Sequence, residues 1–209
     1  MAHCDKSGTT YIGTATDGLR VEPDGTVTFF GTGKKLLSMR PVFLQGRSLT
    51  KPSIVELGVV RGYSLPIYAN DQELFFNEYT SGRWDQESDI VFSIIGYLSS
   101  AETVGKSFKL QMTWTNKETS SGVLSEITND INVITTIPTG RNAQNSIYKV
   151  DFIIDWDAEG VNITNEDFFA GRIRRLAVGG GYTEMSGEFV VTAVIITYVV
   201  NKIYKEPSG

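Results

Sequence analysis

Apolar and polar residues alternate with a period of two along much of this chain. The clearest case is residues 106–116, where one set of alternate positions is apolar and the other polar: Phe108, Leu110, Met112 and Trp114 against Lys109, Gln111, Thr113 and Thr115. This pattern is typical of a strand that buries one face. Residues 147–154 alternate in the same way, whereas 188–204 are apolar on both faces up to Val200, which predicts a central strand.

Turn-forming residues separate the strand-like segments. Asp24-Gly25 signals a hairpin, and Pro41 and Pro66 indicate bulges or edge strands. No segment has a convincing helical period. Roughly ten to twelve strands, several joined by connections longer than hairpin turns, predict an all-β fold: an antiparallel β-sandwich of the jelly-roll or Greek-key type.

The first 17 residues differ from the rest because they are mostly small and polar. We interpret residues 1–17 as an extended N-terminal arm and 18–209 as a single β-sandwich domain. The arm is either a frayed terminus or a segment ordered by a neighbouring subunit.

Composition narrows the classes of partner. Of the 209 residues 41% are hydrophobic, enough for a real core, and the net charge of −5 argues against nucleic acid, whose partners usually have a basic face. The longest apolar stretch, Phe189 to Val200, is too short to span a bilayer, and the N-terminus shows no apolar signal region. The sequence predicts a soluble protein made in a cytoplasm, with no nucleic-acid or membrane partner.

The only histidine and the only cysteine are His3 and Cys4. A single cysteine excludes an intramolecular disulfide, and the rest of the chain lacks the side chains that most nucleophilic and acid–base chemistry uses near neutral pH. Pairs of carboxylates could serve glycoside hydrolysis, but an acidic chain always offers such pairs. We predict no catalytic residues and no enzyme.

One acidic segment has the spacing of a calcium loop. Its carboxylates are Asp155, Asp157, Glu159 and Glu166, and Gly160 occupies the position of the sharp turn. A strand-like segment precedes it where a calcium-binding EF-hand has a helix. The two interpretations are therefore a calcium site and a solvated acidic turn between strands, and no other cofactor is predicted.

Four further residues are candidates for contact with a partner or ligand. Trp84 lies in a polar segment and is either a loop anchor or, with Tyr79, a contact for a sugar or a protein. Arg174 and Arg175 are adjacent in a predicted strand, so their side chains must point to opposite faces. One of the two is expected to form an inward or interfacial ion pair.

Short motifs in strand-like segments resemble a known family. They are Asp24-Gly25-Thr26, Glu73-Leu74-Phe75-Phe76, Ser88-Asp89-Ile90, Leu110 to Asn116, Ala170-Gly171 and Phe189 to Tyr198. In order and spacing the chain resembles phage and virus-like structural proteins with jelly-roll-type β-sandwiches. The resemblance implies a virion component, either a capsid cement or decoration protein or part of a fibre or spike.

These observations together predict a binding or structural protein. The leading hypothesis is a homotrimeric capsid cement or decoration protein that binds the major capsid protein and stabilises the assembled shell in the virion. The alternative is a carbohydrate-binding module, or the receptor-binding part of a tail or head fibre, that recognises a host glycan.

Overall fold

The computed structural model describes residues 2–14, 18–23, 26–30, 36–46, 51–67, 72–79, 84–85, 88–117, 129–158, 163, 168–200 and 202–204. These residues form sixteen strands and no helix. The strands are β1 (Ala2–Cys4), β2 (Thr10–Gly13), β3 (Gly18–Val21), β4 (Val27–Phe30), β5 (Leu36–Val42), β6 (Gln45–Gly46), β7 (Ile54–Leu57), β8 (Val60–Leu65), β9 (Leu74–Tyr79), β10 (Ile90–Leu98), β11 (Ser107–Lys117), β12 (Asn129–Thr136), β13 (Ile147–Ile154), β14 (Phe168–Leu176), β15 (Phe189–Val200) and β16 (Lys202–Tyr204). Among these residues no helix could cross a membrane.

Two sheets form a sandwich, and every strand pair in them is antiparallel. The β15 sheet has the order β13-β10-β15-β8-β7, with β5 also paired to β15, and the β11 sheet has the order β12-β11-β14-β9-β6. Strand β15 pairs with β8 along Phe189–Val191 and with β5 along Val194–Val200, so it is central, as predicted. The predicted antiparallel β-sandwich of jelly-roll type is confirmed.

The core lies between the two sheets and is rich in aromatic rings. The apolar positions of β11 are all buried, which confirms the period-two prediction. Phe108 stacks on Phe189 of the opposite sheet at 4.6 Å between ring centroids, and Trp114 stacks on Phe169 of β14 at 5.6 Å. Burying aromatic side chains supplies much of the free energy that holds such layers together.

The predicted N-terminal arm is extended, but it pairs with other strands of the same chain. Strands β1 and β2 pair with each other, and β2 pairs with β3 across the expected boundary at residue 17, in the order β1-β2-β3-β4-β16. The physical reason is that an extended backbone needs partners for its N–H and C=O groups, and a local hairpin provides them. Among the residues whose side chains the structure describes, none before Val42 belongs to the sandwich core.

The turn between β1 and β2 explains why a polar segment forms a hairpin. The carboxylate of Asp5 accepts hydrogen bonds from the hydroxyl and backbone N–H of Ser7 and from the backbone N–H of Thr9. The bond from the Ser7 hydroxyl contributes most to lowering the pKa of Asp5. Small polar residues therefore close this turn through side-chain hydrogen bonds.

Candidate functional site

The outer face of the β11 sheet carries a polar network that spans four strands. Because the apolar residues of β11 fill the core, Gln111 and Thr113 must point away from it. The strand register places Asn132 and Arg174 on either side of Gln111, and Asp130 and Arg172 on either side of Thr113. Two polar rows therefore run across the strands of this sheet.

The first row is joined by hydrogen bonds between side chains. Arg174 Nε donates to Gln111 Oε1 at 2.7 Å, and Gln111 Nε2 lies 3.3 Å from both Asn132 Oδ1 and Asp130 Oδ2. Arg174 Nη1 also lies 3.6 Å from Glu73 Oε1. Each side chain in the row is held by its neighbours, so the row presents fixed donors and acceptors.

The second row meets the first at Glu73. Thr113 Oγ1 donates to Asp130 Oδ1 at 2.6 Å, and Arg172 Nη1 lies 3.1 Å from Glu73 Oε1. Glu73 is only 1% exposed, and two guanidinium groups share its carboxylate. A buried carboxylate is tolerated when cations compensate it, and here Arg172 and Arg174 do so.

Aromatic side chains lie beside the polar rows on the same face. Phe75 stands opposite Arg172 in the β9–β14 register and is 39% exposed. Tyr79, 54% exposed, stands opposite Phe168, and the two rings meet edge to face at 5.3 Å. Arg40 Nη2 donates to the backbone oxygen of Tyr79 at 2.7 Å, which helps to hold the end of β9.

We call this surface the sheet-face site. It comprises Glu73, Phe75, Tyr79, Gln111, Thr113, Asp130, Asn132, Phe168, Arg172 and Arg174. Its buried polar groups form a rigid floor, and exposed rings and amides form its rim. Ring surfaces combined with a few well-placed polar groups are typical of binding sites.

Two of the four predicted contact residues lie in the sheet-face site, namely Tyr79 and Arg174. Arg175 points the other way, into the protein, where it is 1% exposed and forms an ion pair with Glu184 at 2.6 Å. The prediction that Arg174 and Arg175 face opposite sides, with one in an inward ion pair, is confirmed. The predicted contact role of Arg175 is wrong because burial keeps it from any ligand.

Trp84 is a loop anchor. It is 1% exposed, and its Nε1 donates to the backbone oxygen of Ser88 at 3.1 Å. It also forms a bridge with Val200 at the end of β15. The predicted contact role of Trp84 is therefore wrong, because the indole packs into the core instead of facing solvent.

The acidic segment after β13 is described only in part. Asp155 and Asp157 are exposed, and the Asp157 backbone N–H lies 3.3 Å from Asp155 Oδ1. A hydrogen bond between the two side chains and the charge of Asp155 raise the pKa of Asp157. Glu159 and Glu166 lie outside the described residues. Within the described part of the chain no three His, Cys, Asp or Glu side chains converge as a metal site, and calcium binding stays a prediction.

The sequence pattern pointed to only part of the sheet-face site. Alternation in β11 identified Gln111 and Thr113 as outward, but nothing local indicated their partners. Glu73 meets Arg172 and Arg174 only through the pairing of β9 with β14, which are far apart in the chain. The available signal was a polar residue at every outward position of a strand that is otherwise apolar.

Comparison with known proteins gives distant structural likenesses only. No family model matches the chain, and no curated protein matches it. Among solved structures, one that aligns is a xylanase from Cellvibrio japonicus in complex with xylopentaose, with 14% sequence identity and a TM-score of 0.34. The alignment covers 76% of this chain and 27% of the xylanase chain. The xylan-binding module CBM15 aligns at 12% identity over 79% and 97%, with a TM-score of 0.31.

A third solved structure covers most of the chain. It is a family 11 carbohydrate-binding module from Clostridium thermocellum in complex with a β-1,3-1,4-mixed-linked tetrasaccharide, at 12% identity over 90% of this chain and 98% of its own, with a TM-score of 0.33. Likenesses this distant say nothing about the ligand of this protein.

Proposed function

We propose that this protein is a carbohydrate-binding module and that the sheet-face site binds a polysaccharide. The observation that carries the proposal is the continuity of the surface. Exposed rings of Phe75 and Tyr79 lie on the same strand face as a network of amides, hydroxyls and guanidinium groups. A sugar offers matching chemistry, with apolar C–H faces for the rings and hydroxyl edges for the polar groups.

The network is preorganised, which favours weak ligands that bind through many contacts. Gln111 and Thr113 are buried although they face outward, and each is already held by a partner on a neighbouring strand. Ordering such side chains on binding therefore costs little additional entropy. A flat sheet face held in this way suits an extended polymer better than a small molecule, which prefers an enclosed pocket.

The outer face of the β15 sheet differs in composition. Its most exposed apolar residues on β13 are Ile147 and Ile153, which are aliphatic and offer no ring surface. Phe43 follows β5 and is 87% exposed. Its ring therefore serves as a matched control for the aromatic residues of the sheet-face site.

The test compares aromatic variants in affinity electrophoresis on native gels that contain soluble polysaccharides. We expect Phe75→Ala combined with Tyr79→Ala to weaken binding at least tenfold, which corresponds to about 1.4 kcal/mol. Phe43→Ala should bind as the parent does. The removed rings are substantially exposed, so thermal melting should show all variants folded.

Two results would overturn the proposal. One is an absence of retardation by every polysaccharide in the panel. The other is an equal loss of affinity in Phe43→Ala and in the double variant, since binding would then not involve the sheet-face site. The role of a homotrimeric capsid cement protein stays a prediction that the described residues do not test.

A further inference from the structure

The outer face of the β11 sheet, which includes the sheet-face site, has a surplus of positive charge among the described residues. Besides Arg172 and Arg174, the outward positions of β11 include Lys109 and Lys117. The carboxylates of described residues on the same face are Glu73 and Asp130, so within the described part of the chain four cations stand against two anions. The whole chain has a net charge of −5, so this local surplus is opposite in sign to the rest of the molecule.

Both carboxylates of the face are already engaged within the protein. Glu73 is buried between Arg172 and Arg174, and Asp130 accepts hydrogen bonds from Thr113 and Gln111. The charge of Glu73 is therefore compensated within the protein, whereas Asp130 is exposed and keeps its charge on β12, on the other side of β11 from Arg172.

All four cations are partly exposed. The Arg172 side chain is 36% exposed although one of its nitrogens pairs with Glu73. Lys109 and Lys117 are half-buried and form no ion pair with the described residues. One guanidinium would suffice to neutralise Glu73, so the second leaves a positive charge directed at solvent.

We infer that the ligand of the sheet-face site is an anionic polysaccharide whose acid group pairs with Arg172. This inference rests on the proposed function and adds the substrate class to it. The planar guanidinium forms charge-assisted hydrogen bonds with a uronic acid carboxylate or with a sulfate ester, since both present paired oxygens. Phe75 lies directly opposite Arg172 across β9 and β14, so a sugar ring can stack on Phe75 while its acid group reaches Arg172.

The experiment uses two pairs of polymers that differ only in charge. Polygalacturonate is compared with the same polymer after reduction of its carboxyl groups, and dextran sulfate is compared with dextran. In affinity electrophoresis of the full chain, we expect at least one acidic polymer to bind tenfold or more tightly than its neutral counterpart. The preference should fall as salt is raised from 20 to 300 mM, roughly the range over which the Debye length shrinks from about 20 to about 6 Å.

Arg172→Gln separates the site from general charge effects. We expect this variant to lose at least tenfold in affinity for the acidic polymer and to lose less affinity for its neutral counterpart. Lys149→Gln removes a 60% exposed cation from the β15 sheet and should bind as the parent does. Binding of polygalacturonate alone would assign a carboxylate ligand, and binding of dextran sulfate alone a sulfate ligand.

The possible failures are distinguishable. Equal affinity for charged and uncharged polymers, or unchanged binding of the acidic polymer by a folded Arg172→Gln variant, overturns the inference and leaves the proposed function standing. Loss of affinity in Lys149→Gln equal to that in Arg172→Gln also overturns it. Absence of binding to all four polymers, and to the neutral polysaccharides of the earlier panel, overturns both.

Discussion

Arg174 and Arg175 are adjacent in β14, yet they belong to two very different polar regions. Arg174 faces the outer side of the β11 sheet, where it donates a hydrogen bond to Gln111 and forms an ion pair with Glu73. Arg175 faces inward and is buried. The two regions are separated only because successive side chains of a strand point to opposite faces of the sheet.

The inward region is held by several internal partners. Arg175 Nη1 donates to the backbone oxygen of Gly187 at 2.6 Å, and Nη2 donates to Glu184 at 2.6 Å and to the backbone oxygen of Met185 at 3.1 Å. Glu184 also accepts a bond from the backbone N–H of Val178 at 2.9 Å. Burial lowers the pKa of Arg175, and the hydrogen bond with Glu184 opposes that shift.

The contrast shows how one residue type can serve stability or binding according to its partners. Arg175 has three acceptors within the protein and almost no exposed surface, so it ties the connection between β14 and β15 to the strand. Arg172, on the outer face, shares a single carboxylate with Arg174 and keeps a third of its side chain exposed. This exposed part of the side chain is the part that a ligand can contact.

The largest effect that separates the two regions is expected from Arg175→Met. Removing one partner of a buried ion pair leaves Glu184 without its cation and the backbone oxygens of Gly187 and Met185 without the donor that Arg175 supplies, which costs about 3 to 5 kcal/mol. Urea unfolding should therefore show a strongly reduced free energy of unfolding. The fraction that remains folded should still bind polysaccharide, because the sheet-face site is untouched.

Arg172→Gln is the matched change on the other face. Its ion pair is partly exposed, and Arg174 remains beside Glu73, so we expect the free energy of unfolding to change by less than about 1 kcal/mol. A loss as large as that of Arg175→Met would contradict the division into a structural and a binding arginine.

A second prediction uses the next pair of neighbours in β14, Ala170 and Gly171. A methyl group at Gly171 would collide with the ring of Phe76 and lie 2.9 Å from the backbone oxygen of Thr113. We expect Gly171→Ala to lower the free energy of unfolding by about 1 to 3 kcal/mol through overpacking.

The control for this prediction is Ala170→Ser on the outer face. Its side chain points away from the core, so urea unfolding should differ from the parent by no more than about 0.5 kcal/mol. If Gly171→Ala were as stable as Ala170→Ser, the tight contact between β14 and Phe76 would not exist in solution.

Alternation along single strands was predictable from the sequence, and partnership between strands was not. The inward face of β11 and the opposite orientation of Arg174 and Arg175 both follow from a period of two. Strand register is set by contacts between distant segments, so the convergence of Glu73 and Arg172 had no local signal.

Two segments that are polar in sequence have tertiary partners that their local sequence does not indicate. Trp84 lies among polar residues, which left a loop anchor and a contact residue both open, and the fold brings it against Val200 and buries it. Residues 2–13 are too polar for the core, yet their backbone groups pair with one another and with β3. The polarity of a segment shows which residues can tolerate solvent. Whether they are exposed depends on the tertiary contacts that the segment makes in the fold.

The smallest expected effect is on the pH dependence of the free energy of unfolding, and it concerns Glu102. Glu102 is buried, and its carboxylate accepts hydrogen bonds from the backbone N–H of Gly187 and from Lys106. Burial alone would raise the pKa of Glu102, but the hydrogen bonds from Gly187, Ser186 and Lys106 outweigh it, and the pKa lies below the ordinary value of 4.5.

A depressed pKa fixes the sign of the pH dependence. The stabilisation from ionised Glu102 is fully present above the unfolded-state value of 4.5 and is lost as the pH falls through the lower folded-state value. We therefore expect Glu102→Gln to be less stable than the parent at pH 7, with a difference that shrinks below pH 4.5 in urea unfolding at several pH values. Glu56→Gln, at an exposed ion pair with Arg61, should follow the parent curve throughout. A difference in the free energy of unfolding between Glu102→Gln and the parent that stayed constant down to pH 2 would show that these hydrogen bonds do not hold the Glu102 carboxylate ionised.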